Sequence, residues 1–357
     1  MVENENNKDS SYEDAESFLE IGQKGIIKKD SVSKKVLVEM FKIRETGVLM
    51  ALILLLILFS ITSPVFFSIN NLLNVVRQVS LLGIIAMGMT MVIVSGEIDL
   101  SVGAVYGLAA VVAGMLMTNG VSILLSLIFA LFAGMGFGLI NGMLVTYARI
   151  PALIVTLGTL NVARGAALIA SKAQVISTSH RTVVDPAINT FLFIGQGKLF
   201  EIIPMMSIFF VITAVVSYFI FNKTIMGFHM RAVGGNKMAA RASGINVMII
   251  KVAAFVITGF FCALAGILNL SFLANVQGTV GYGLELDVIA AVIIGGTSMS
   301  GGEGTILGTT IGVLIMGVLR NGLILLGVSP FWQILIIGLV IIGAVGLDTW
   351  TSKQKIS

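Results

Sequence analysis

From residue 47 onward, long apolar runs alternate with short segments of glycine and polar residues. A helix needs about 20 apolar residues to cross about 30 Å of hydrocarbon, and ten runs approach that length. The eighth run is short for a full crossing, which makes it a candidate for a broken or re-entrant segment. The ten predicted spans are 47–67, 72–94, 100–118, 121–147, 151–170, 203–222, 248–273, 286–299, 305–326 and 330–348.

The composition agrees with this pattern. Hydrophobic residues make up 57% of the 357 residues and charged residues only 11%. Residues 47–357 carry 14 basic and 8 acidic side chains, too few to cover a globule in water. We therefore predict an all-α polytopic membrane protein of about ten transmembrane helices. The single cysteine and the two distant histidines offer no disulfide or metal spacing, and no metal or cofactor site is predicted.

The basic residues predict an orientation. Ten spans leave both termini on one side, and the positive-inside rule places that side in the cytoplasm. The tail 1–46, the loop 223–247 and the C-terminus 351–357 then share the cytoplasmic side, and the transmembrane domain covers 47–350. The cation-free loop 274–287 falls outside, whereas the external segment 171–202, with its three cations, is an exception to the rule. This bias also accounts for the net charge of +4 without nucleic acid.

Within the charged tail, residues 32–44 place apolar side chains among lysines. That pattern suits a short helix lying on the inner membrane face. A disordered charged tail is the alternative, which certainly fits residues 1–30.

Short motifs recur in the same order in the two halves of the chain. Their separations are 188, 180 and 179 residues, and an odd number of spans lies between equivalent points. The halves would therefore be inverted repeats of five spans each, the architecture of alternating-access carriers. Coincidence is the alternative, because Gly, Asn and Pro recur at helix ends for local reasons. The matched motifs are Glu97-Ile-Asp99 with Glu285-Leu-Asp287, Asn141-Gly142 with Asn321-Gly322, and Pro151 with Pro330.

Glycine stripes mark two of the predicted spans. Glycines four residues apart lie on one helix face and allow a second helix to approach closely. Such a face can slide in a carrier, or it can simply pack tightly. The stripes are Gly134, Gly138 and Gly142 in the fourth span and Gly304, Gly308 and Gly312 in the ninth.

The segment SGEIDLSVG, residues 95–103, places two carboxylates next to the membrane, where ionisable groups are costly and usually functional. Asp99 has an alternative role, because it could cap the third span by accepting backbone N–H bonds. Glu97 has no such structural role, since Asp99 already occupies the cap. The candidate pathway or gate residues are Glu97, Asp99, Ser101, Asn141, Thr156, Thr159, Asn161, Glu285, Asp287 and Thr297.

The loop 223–247 contains a helix break at Gly234-Gly235-Asn236, followed by a short helical patch ending at Gly244. Basic residues on such an elbow would form a docking surface for a cytosolic partner, although an ordinary positive-inside loop also fits their charge. On the opposite side, three arginines near helix ends could dock an acidic external protein or snorkel to lipid phosphates. These external candidates are Arg77, Arg164 and Arg320.

At these motifs the chain resembles the permease subunit of bacterial ABC importers of the ribose/galactose/xylose class, within the wider branched-chain permease family. The resemblance covers residues 47–350. Glu97 and Glu303 depart from it, since a glycine and an arginine are expected at these positions, and the departure weakens the functional argument for Glu97. The matching segments are SGEIDLSVGAV, IPALIVTLGTL with Arg164-Gly165, MGFHMRAVGGNKMAARASGINV, and ELDVIAAVIIGGTSMSGGEGTILGTTIGVLIMGVLRNGLILLGVSPFWQ.

The resemblance implies a type II importer fold in the bacterial cytoplasmic membrane. It implies a second permease copy, two ATP-binding subunits or one tandem ATPase, and an external binding protein that delivers a monosaccharide. The sequence has no G-x-x-x-x-G-K-[ST] segment, so ATP and Mg²⁺ would be bound by the partner and this chain would not be an enzyme. The residues that match the ATPase-coupling motif are Gly227, Arg231, Gly234, Gly235, Asn236, Ala240, Arg241 and Gly244.

Two alternatives remain at this stage. The Glu-x-Asp pairs could bind Na⁺ or protons in an ion-coupled secondary carrier. An ABC permease of the same fold could instead carry nucleosides or another small polar solute. The sequence does not identify the solute.

Overall fold

The helices follow the apolar runs. A computed structural model describes residues 44–354, so most of the charged tail and its predicted interfacial helix lie outside the described residues. From Val48 onward these residues form one compact unit. The helices are α1 (Arg44–Thr62), α2 (Ile69–Val94), α3 (Val102–Thr118), α4 (Ile123–Thr146), α5 (Ala152–Ser171), α6 (Ile188–Gln196), α7 (Met205–Lys223), α8 (Ile225–Gly235), α9 (Lys237–Ala242), α10 (Val247–Leu273), α11 (Leu284–Ile294), α12 (Ile306–Leu325) and α13 (Pro330–Gln354).

Each predicted span contains one of these helices, and most helix ends agree with the prediction to within about three residues. Six described helices are long and apolar enough to cross a membrane: α2, α4, α5, α7, α10 and α12. Shorter apolar helices cover Thr46–Thr62, Val102–Thr118 and Pro330–Gly343. The eighth run forms only the 11-residue helix α11, which is too short for a full crossing. The chain is thus a helical polytopic membrane protein.

The connecting segments contain structure that the apolar pattern did not predict. Four two-residue strands form two antiparallel pairs, β1 (Ile176–Ser177) with β4 (Asn275–Val276), and β2 (Lys198–Leu199) with β3 (Ile203–Pro204). Helix α6 also lies in this region. These short elements satisfy backbone groups of the long connection between α5 and α7 and of the segment after α10.

Asp185 fastens the same connection to the helix bundle. Its two carboxylate oxygens accept the backbone N–H groups of Ile123 and Ala187, both at 2.8 Å. These bonds stabilise the charged form and lower the pKa of Asp185 below its ordinary value. Because the pKa of Asp185 is lower in the folded protein, its contribution to folding stability is complete above the ordinary aspartate pKa. That contribution is lost only as the pH falls through the lowered pKa of the folded state. At neutral pH Asp185 is therefore charged, and its two hydrogen bonds stabilise the fold in full.

Two long helices, α2 and α10, lie at the centre of the bundle and pack against each other. Helix α10 also packs on α3 and α4, while α2 also packs on α7, α11 and α12. The glycine stripe of α4 lies on α10: Gly134 meets Gly259, Gly138 meets Phe255, and Gly142 meets Val252. Gly308 and Gly312 of the second stripe meet α11 in the same way. Both stripes therefore bring helix backbones into direct contact, except at Gly304, which precedes α12 and faces the side chains of Thr297 and Val94.

The replacement Gly138→Ala is expected to destabilise the bundle by about 1–3 kcal/mol or to prevent its assembly. The added methyl group would press on the carbonyl of Phe255 and lie 2.9 Å from Val256 Cα, and backbone cannot move aside as a flexible side chain does. Gly136→Ala is the matched control, since no described atom lies within 4 Å of the new Cβ position. Thermal unfolding of both purified variants measures the effect. Equal melting temperatures would contradict the close approach of α4 and α10.

Two non-helical breaks interrupt the bundle. The first, residues 95–101, separates α2 from α3. The second follows β4, where the chain runs alongside α3: Val276 lies beside Gly114, Val280 beside Gly107, and Gly281 beside Gly103. Gly103 and Gly114 are eleven residues apart, or about 16 Å along the helix axis. The chain from Val276 into the second break, residues 277–283, therefore runs along α3 for a distance of about half the thickness of a bilayer's hydrocarbon core.

Candidate coupling and transport sites

The segment 224–246 forms the elbow that the glycine spacing predicted. Helix α8 begins after Thr224, whose Oγ1 accepts the N–H of Gly227 at 3.4 Å, and ends at Gly235. Helix α9 then begins directly after Asn236, whose Oδ1 accepts the N–H of Ala239 at 2.9 Å. Gly244 adopts a positive φ of 82° and turns the chain toward α10. The prediction of a break followed by a short helix is confirmed.

Helix α8 is fixed tightly to the end of α7. Gly227 lies against the backbone of Phe221, so that no side chain fits between the two helices. The guanidinium of Arg231 lies 4.7 Å from the centre of the Phe221 ring and donates to Asn222 Oδ1 at 3.4 Å. Cation–π contact and hydrogen bonding together hold α8 in one orientation. Arg231 thus has a structural contact within the chain, while its partner-docking role remains a prediction.

The C-terminal end of α8 meets three other parts of the backbone through glycines. A Cβ on Gly234 would collide with the carbonyl of Val94, at the end of α2, and lie 2.6 Å from Gly302 N. The N–H of Gly302 donates to that same carbonyl at 2.8 Å. Gly301 and Gly96 also touch each other here, and both have positive φ values that favour glycine. We call this contact of Gly96, Gly234, Gly235, Gly301 and Gly302 the glycine junction.

The glycine junction has a specific topology. It joins the elbow to the first break at Gly96 and to the loop 295–305, which connects α11 with α12, at Gly301 and Gly302. The first break belongs to the first predicted repeat and carries Glu97-Ile-Asp99. The loop 295–305 belongs to the second, at the opposite end of α11 from Glu285-Leu-Asp287. A displacement of α8 would therefore press on both halves of the bundle at once. The contacts are between backbones, which transmit strain with little room to relax.

Glu97, next to the junction, forms an ion pair with Lys251 of α10. Lys251 is buried, with 7% of its surface exposed, and a buried cation needs such a partner. Lys251 was not among the predicted site residues. A lone lysine early in an apolar span reads as an interfacial residue, and only the fold brings it to Glu97.

Asp99 organises the start of α3. Its Oδ1 accepts the backbone N–H of Ser101 at 2.8 Å and the Ser101 hydroxyl at 2.6 Å, while Asn141 Nδ2 donates to that hydroxyl at 2.9 Å. The N-cap residue of α3 is Ser101, so the predicted cap at Asp99 is wrong: Asp99 lies two residues earlier and accepts hydrogen bonds from the N-cap residue itself. Among the described residues, Asn141 Oδ1 has no hydrogen-bond partner. Four predicted pathway residues (Glu97, Asp99, Ser101, Asn141) thus lie at the same end of the bundle.

Arg164 points into the protein toward the second break. Its guanidinium donates to the carbonyls of Gly278 at 3.2 Å and Val280 at 2.5 Å, and lies 6.0 Å from the ring centre of Tyr282. These carbonyls belong to non-helical chain beside α3, where lipid could not satisfy them. Glu285, at the start of α11, has a buried Oε2 without a hydrogen-bond partner among the described residues. Arg164 therefore supports the break from within.

Asp287 and Arg320 are brought together at a cavity of about 350 Å³ between α2, α3, α11 and α12. Arg320 donates to Asp287 Oδ2 at 2.8 Å, and the cavity is also lined by Gln78 and Tyr106 among apolar residues. From the sequence, Asp287 was predicted as a pathway residue and Arg320 as an external docking residue, without any relation between them. Arg77, the third of the arginines predicted to be external, donates to Asn74 Oδ1 at 3.0 Å and lies 4.9 Å from the ring centre of Phe272.

The other candidate pathway residues lie apart from these groups. On α5, Thr156 and Thr159 are buried and bond to their own helix, whereas Asn161 is exposed in mid-helix. Thr297 is buried beside Gly304, and its hydroxyl has no partner among the described residues. Gln78 and Tyr106 were missed, because single polar residues inside apolar spans carry no spacing signal.

Comparison with known proteins identifies the family. The model of the branched-chain amino acid transport system permease component matches residues 71–345. The ribose import permease protein RbsC of Bacillus subtilis is 43% identical over 306 residues, covering 85% of this chain and 92% of that protein. Its counterpart in Haemophilus influenzae is 40% identical over 309 residues, covering 86% and 93%.

A galactose/methyl galactoside import permease, MglC of Escherichia coli, is 33% identical over 327 residues, covering 88% of this chain and 96% of that protein. No solved structure matches the chain at a significant level. The matched region begins within α2 and includes both breaks, the elbow and the glycine junction. The chain therefore belongs to the permease components of the branched-chain amino acid transport system family.

Proposed function

We propose that this chain is the membrane-spanning permease subunit of an ATP-driven importer that translocates a monosaccharide. The relatives are named as ribose and galactose import permeases, and the match to this chain covers more than 90% of the length of each. The observation that carries the proposal is the glycine junction, which links one exposed elbow to both halves of the bundle. A cytosolic ATPase that moves the membrane helices would require such a link.

The proposed assembly contains a second permease copy, two cytosolic ATP-binding subunits or one tandem ATPase, and an external sugar-binding protein. The elbow end faces the cytoplasm of a bacterial cell, and both termini lie on that side. The clustered cations Lys223, Arg231, Lys237 and Arg241 at this end support the orientation. ATP and Mg²⁺ are bound by the ATPase, and the exposed part of the elbow docks to it.

We also propose a type II importer fold with ten spans in two inverted repeats. The helix packing supports it. Helix α2 of the first half packs on α11 and α12 of the second, whereas α10 of the second half packs on α3 and α4 of the first. This exchange of central helices relates the two halves symmetrically. Both equivalent segments, α3 and α11, also follow a non-helical break.

In this mechanism, closure of the ATPases pushes on α8 and α9, and the junction passes the displacement to the first break and to the loop 295–305. These two connections adjoin α3 and α11 and reorient them, which switches the bundle between inward-open and outward-open states. Glu97, Asp99, Ser101 and Asn141 lie where such a movement begins. Asp287, Arg320 and the cavity beside them lie on the proposed outward-facing side, where polar side chains could meet sugar hydroxyls.

Uptake in proteoliposomes tests the proposal. The chain is reconstituted with its ATPase and binding protein, and radiolabelled ribose, galactose and xylose are supplied in parallel. Uptake of at least one sugar is expected to require ATP inside the vesicles and to disappear with an ATPase lacking its P-loop lysine. Uptake that survives without ATP but collapses with an ionophore would instead establish an ion-coupled carrier. Transport of nucleosides in place of the sugars would contradict the substrate class.

A further inference from the structure

A cavity of about 550 Å³ opens at the elbow end of the bundle, and none of the five junction glycines lines it. It lies between the C-terminal end of α4, the first turn of α5, helix α9 and the first turn of α10. Four cations line it, and Glu97 is its one lining carboxylate. The charged lining residues are Glu97, Arg149, Lys237, Arg241 and Lys251.

The charge balance of this basic cavity calls for an anion. The ion pair with Glu97 neutralises Lys251, which leaves three cations without a lining carboxylate. Like charges gathered around one space repel each other, and an anion in that space relieves the repulsion. The first turn of α5 adds to the positive potential, because Ala152 lines the cavity and the preceding Pro151 provides no side-chain cap.

The backbone at the rim is held in an unusual conformation. Arg149 has a positive φ of 57°, a conformation that is unfavourable for a residue other than glycine. This conformation lies in the short α4–α5 connection and accompanies the placement of Arg149 on the cavity wall. Backbone strain of this kind persists only where the surrounding structure enforces it, and it is frequent at ligand-binding sites.

The rim also shows what kind of anion fits. Tyr147, Ile150 and Ile154 are 58%, 37% and 62% exposed around the α4–α5 connection, and Met238 of α9 is 74% exposed. Tyrosine beside exposed aliphatic residues is typical of the membrane interface. Ile150 and Met238 line the basic cavity, and Tyr147 and Ile154 lie nearby in the sequence. This combination at the end of transmembrane helices fits a charged headgroup with acyl chains running along the apolar residues. An acidic protein surface would leave these apolar groups without a partner.

We propose that this basic cavity binds the phosphate headgroup of an anionic phospholipid of the inner leaflet. The inference rests on the proposed function only for its orientation, which places this end of the bundle at the cytoplasmic membrane surface. The bound lipid would join the α4–α5 connection to α9 of the elbow, which the ion pair alone does not do. Lipid occupancy would then hold the elbow against the bundle.

The test measures lipid retention by native mass spectrometry of the full-length chain in detergent, with equal phosphatidylglycerol and phosphatidylcholine added. The double variant Arg149→Gln/Lys237→Gln removes two cations and avoids the coupling residues. At about 1 kcal/mol per cation, phosphatidylglycerol should bind about thirtyfold more weakly. Arg149→Gln alone should show about a fivefold loss, and it guards against misfolding of the double variant.

Lys223→Gln is the matched control, since Lys223 lies at the same end of the bundle but outside the cavity. It should retain phosphatidylglycerol like the parent protein. Equal retention of the two lipids by the parent protein, or an equal loss in Lys223→Gln, would overturn the proposal. Displacement of the lipid by millimolar glycerol phosphate would also overturn it in favour of a free phosphate ligand. Retention requires neither the ATPase nor sugar, so its failure is distinguishable from failure of the transport proposal.

Discussion

Replacing Gly234 by alanine should reduce ATP-driven uptake to below about a tenth of the parent rate, because the methyl group has no room at the glycine junction. It would collide with the carbonyl of Val94 and approach Gly302 N to 2.6 Å, and both are backbone atoms. The end of α8 must then move away from both connections that it touches. Uptake of labelled sugar in proteoliposomes measures the loss.

The neighbouring residue provides the control for this substitution. At Gly235 a new Cβ would meet only Gly302 Cα, at the ordinary contact distance of 3.9 Å, so Gly235→Ala should retain most of the uptake. Both variants have the same helix propensity and composition, and only the contact differs. Thermal unfolding of Gly234→Ala should remain cooperative. Equal uptake by the two variants would show that the junction does not transmit the movement of the elbow.

Replacing Arg164 by methionine should destabilise the protein by roughly 2–5 kcal/mol, since it leaves two carbonyls unpaired in apolar surroundings. The thioether side chain has similar length but cannot donate to Gly278 or Val280. The freed carbonyls should allow the second break to open. Hydrogen exchange of peptides covering residues 277–283 should therefore increase, together with a lower melting temperature.

Arg77→Met is the matched control for Arg164→Met. Arg77 contacts one asparagine side chain and one aromatic ring, so its loss should cost less than about 1 kcal/mol. The comparison also separates the two roles considered for the external arginines. If Arg164 served only to dock a binding protein, Arg164→Met would lose uptake at an unchanged melting temperature, and the supporting role would be wrong.

The helices were predictable because each apolar run has its own length signal. The elbow was predictable as well, since Gly234-Gly235-Asn236 stops one helix and starts the next by local chemistry alone. The glycine stripe of α4 could be recognised from its spacing, but the identity of α10 as its partner could not. Helix pairing depends on contacts between residues far apart in sequence, which one sequence does not contain.

In the candidate site, too, residues with a local sequence signal were predictable, whereas their distant partners were not. Glu97, Asp99 and Arg164 stood out because charge is rare within membrane spans. Their partners did not stand out, since Lys251 is a single residue and the carbonyls of Gly278 and Val280 leave no mark in a sequence. Arg164 in particular was assigned to the surface by its place near a helix end, whereas the fold turns it inward. The non-helical carbonyls of the break need a donor, and Arg164 supplies it.

The backbone contacts of the glycine junction have a consequence for the conditions under which the importer operates. Gly96, Gly234 and Gly302 carry no ionisable group, so neither ionic strength nor cytoplasmic acidity changes the force between them. A connection made of salt bridges would weaken in concentrated salt, whereas steric exclusion between peptide groups does not. In the proposed mechanism, transmission of the elbow's movement through the junction should therefore be unaffected by ionic strength or pH.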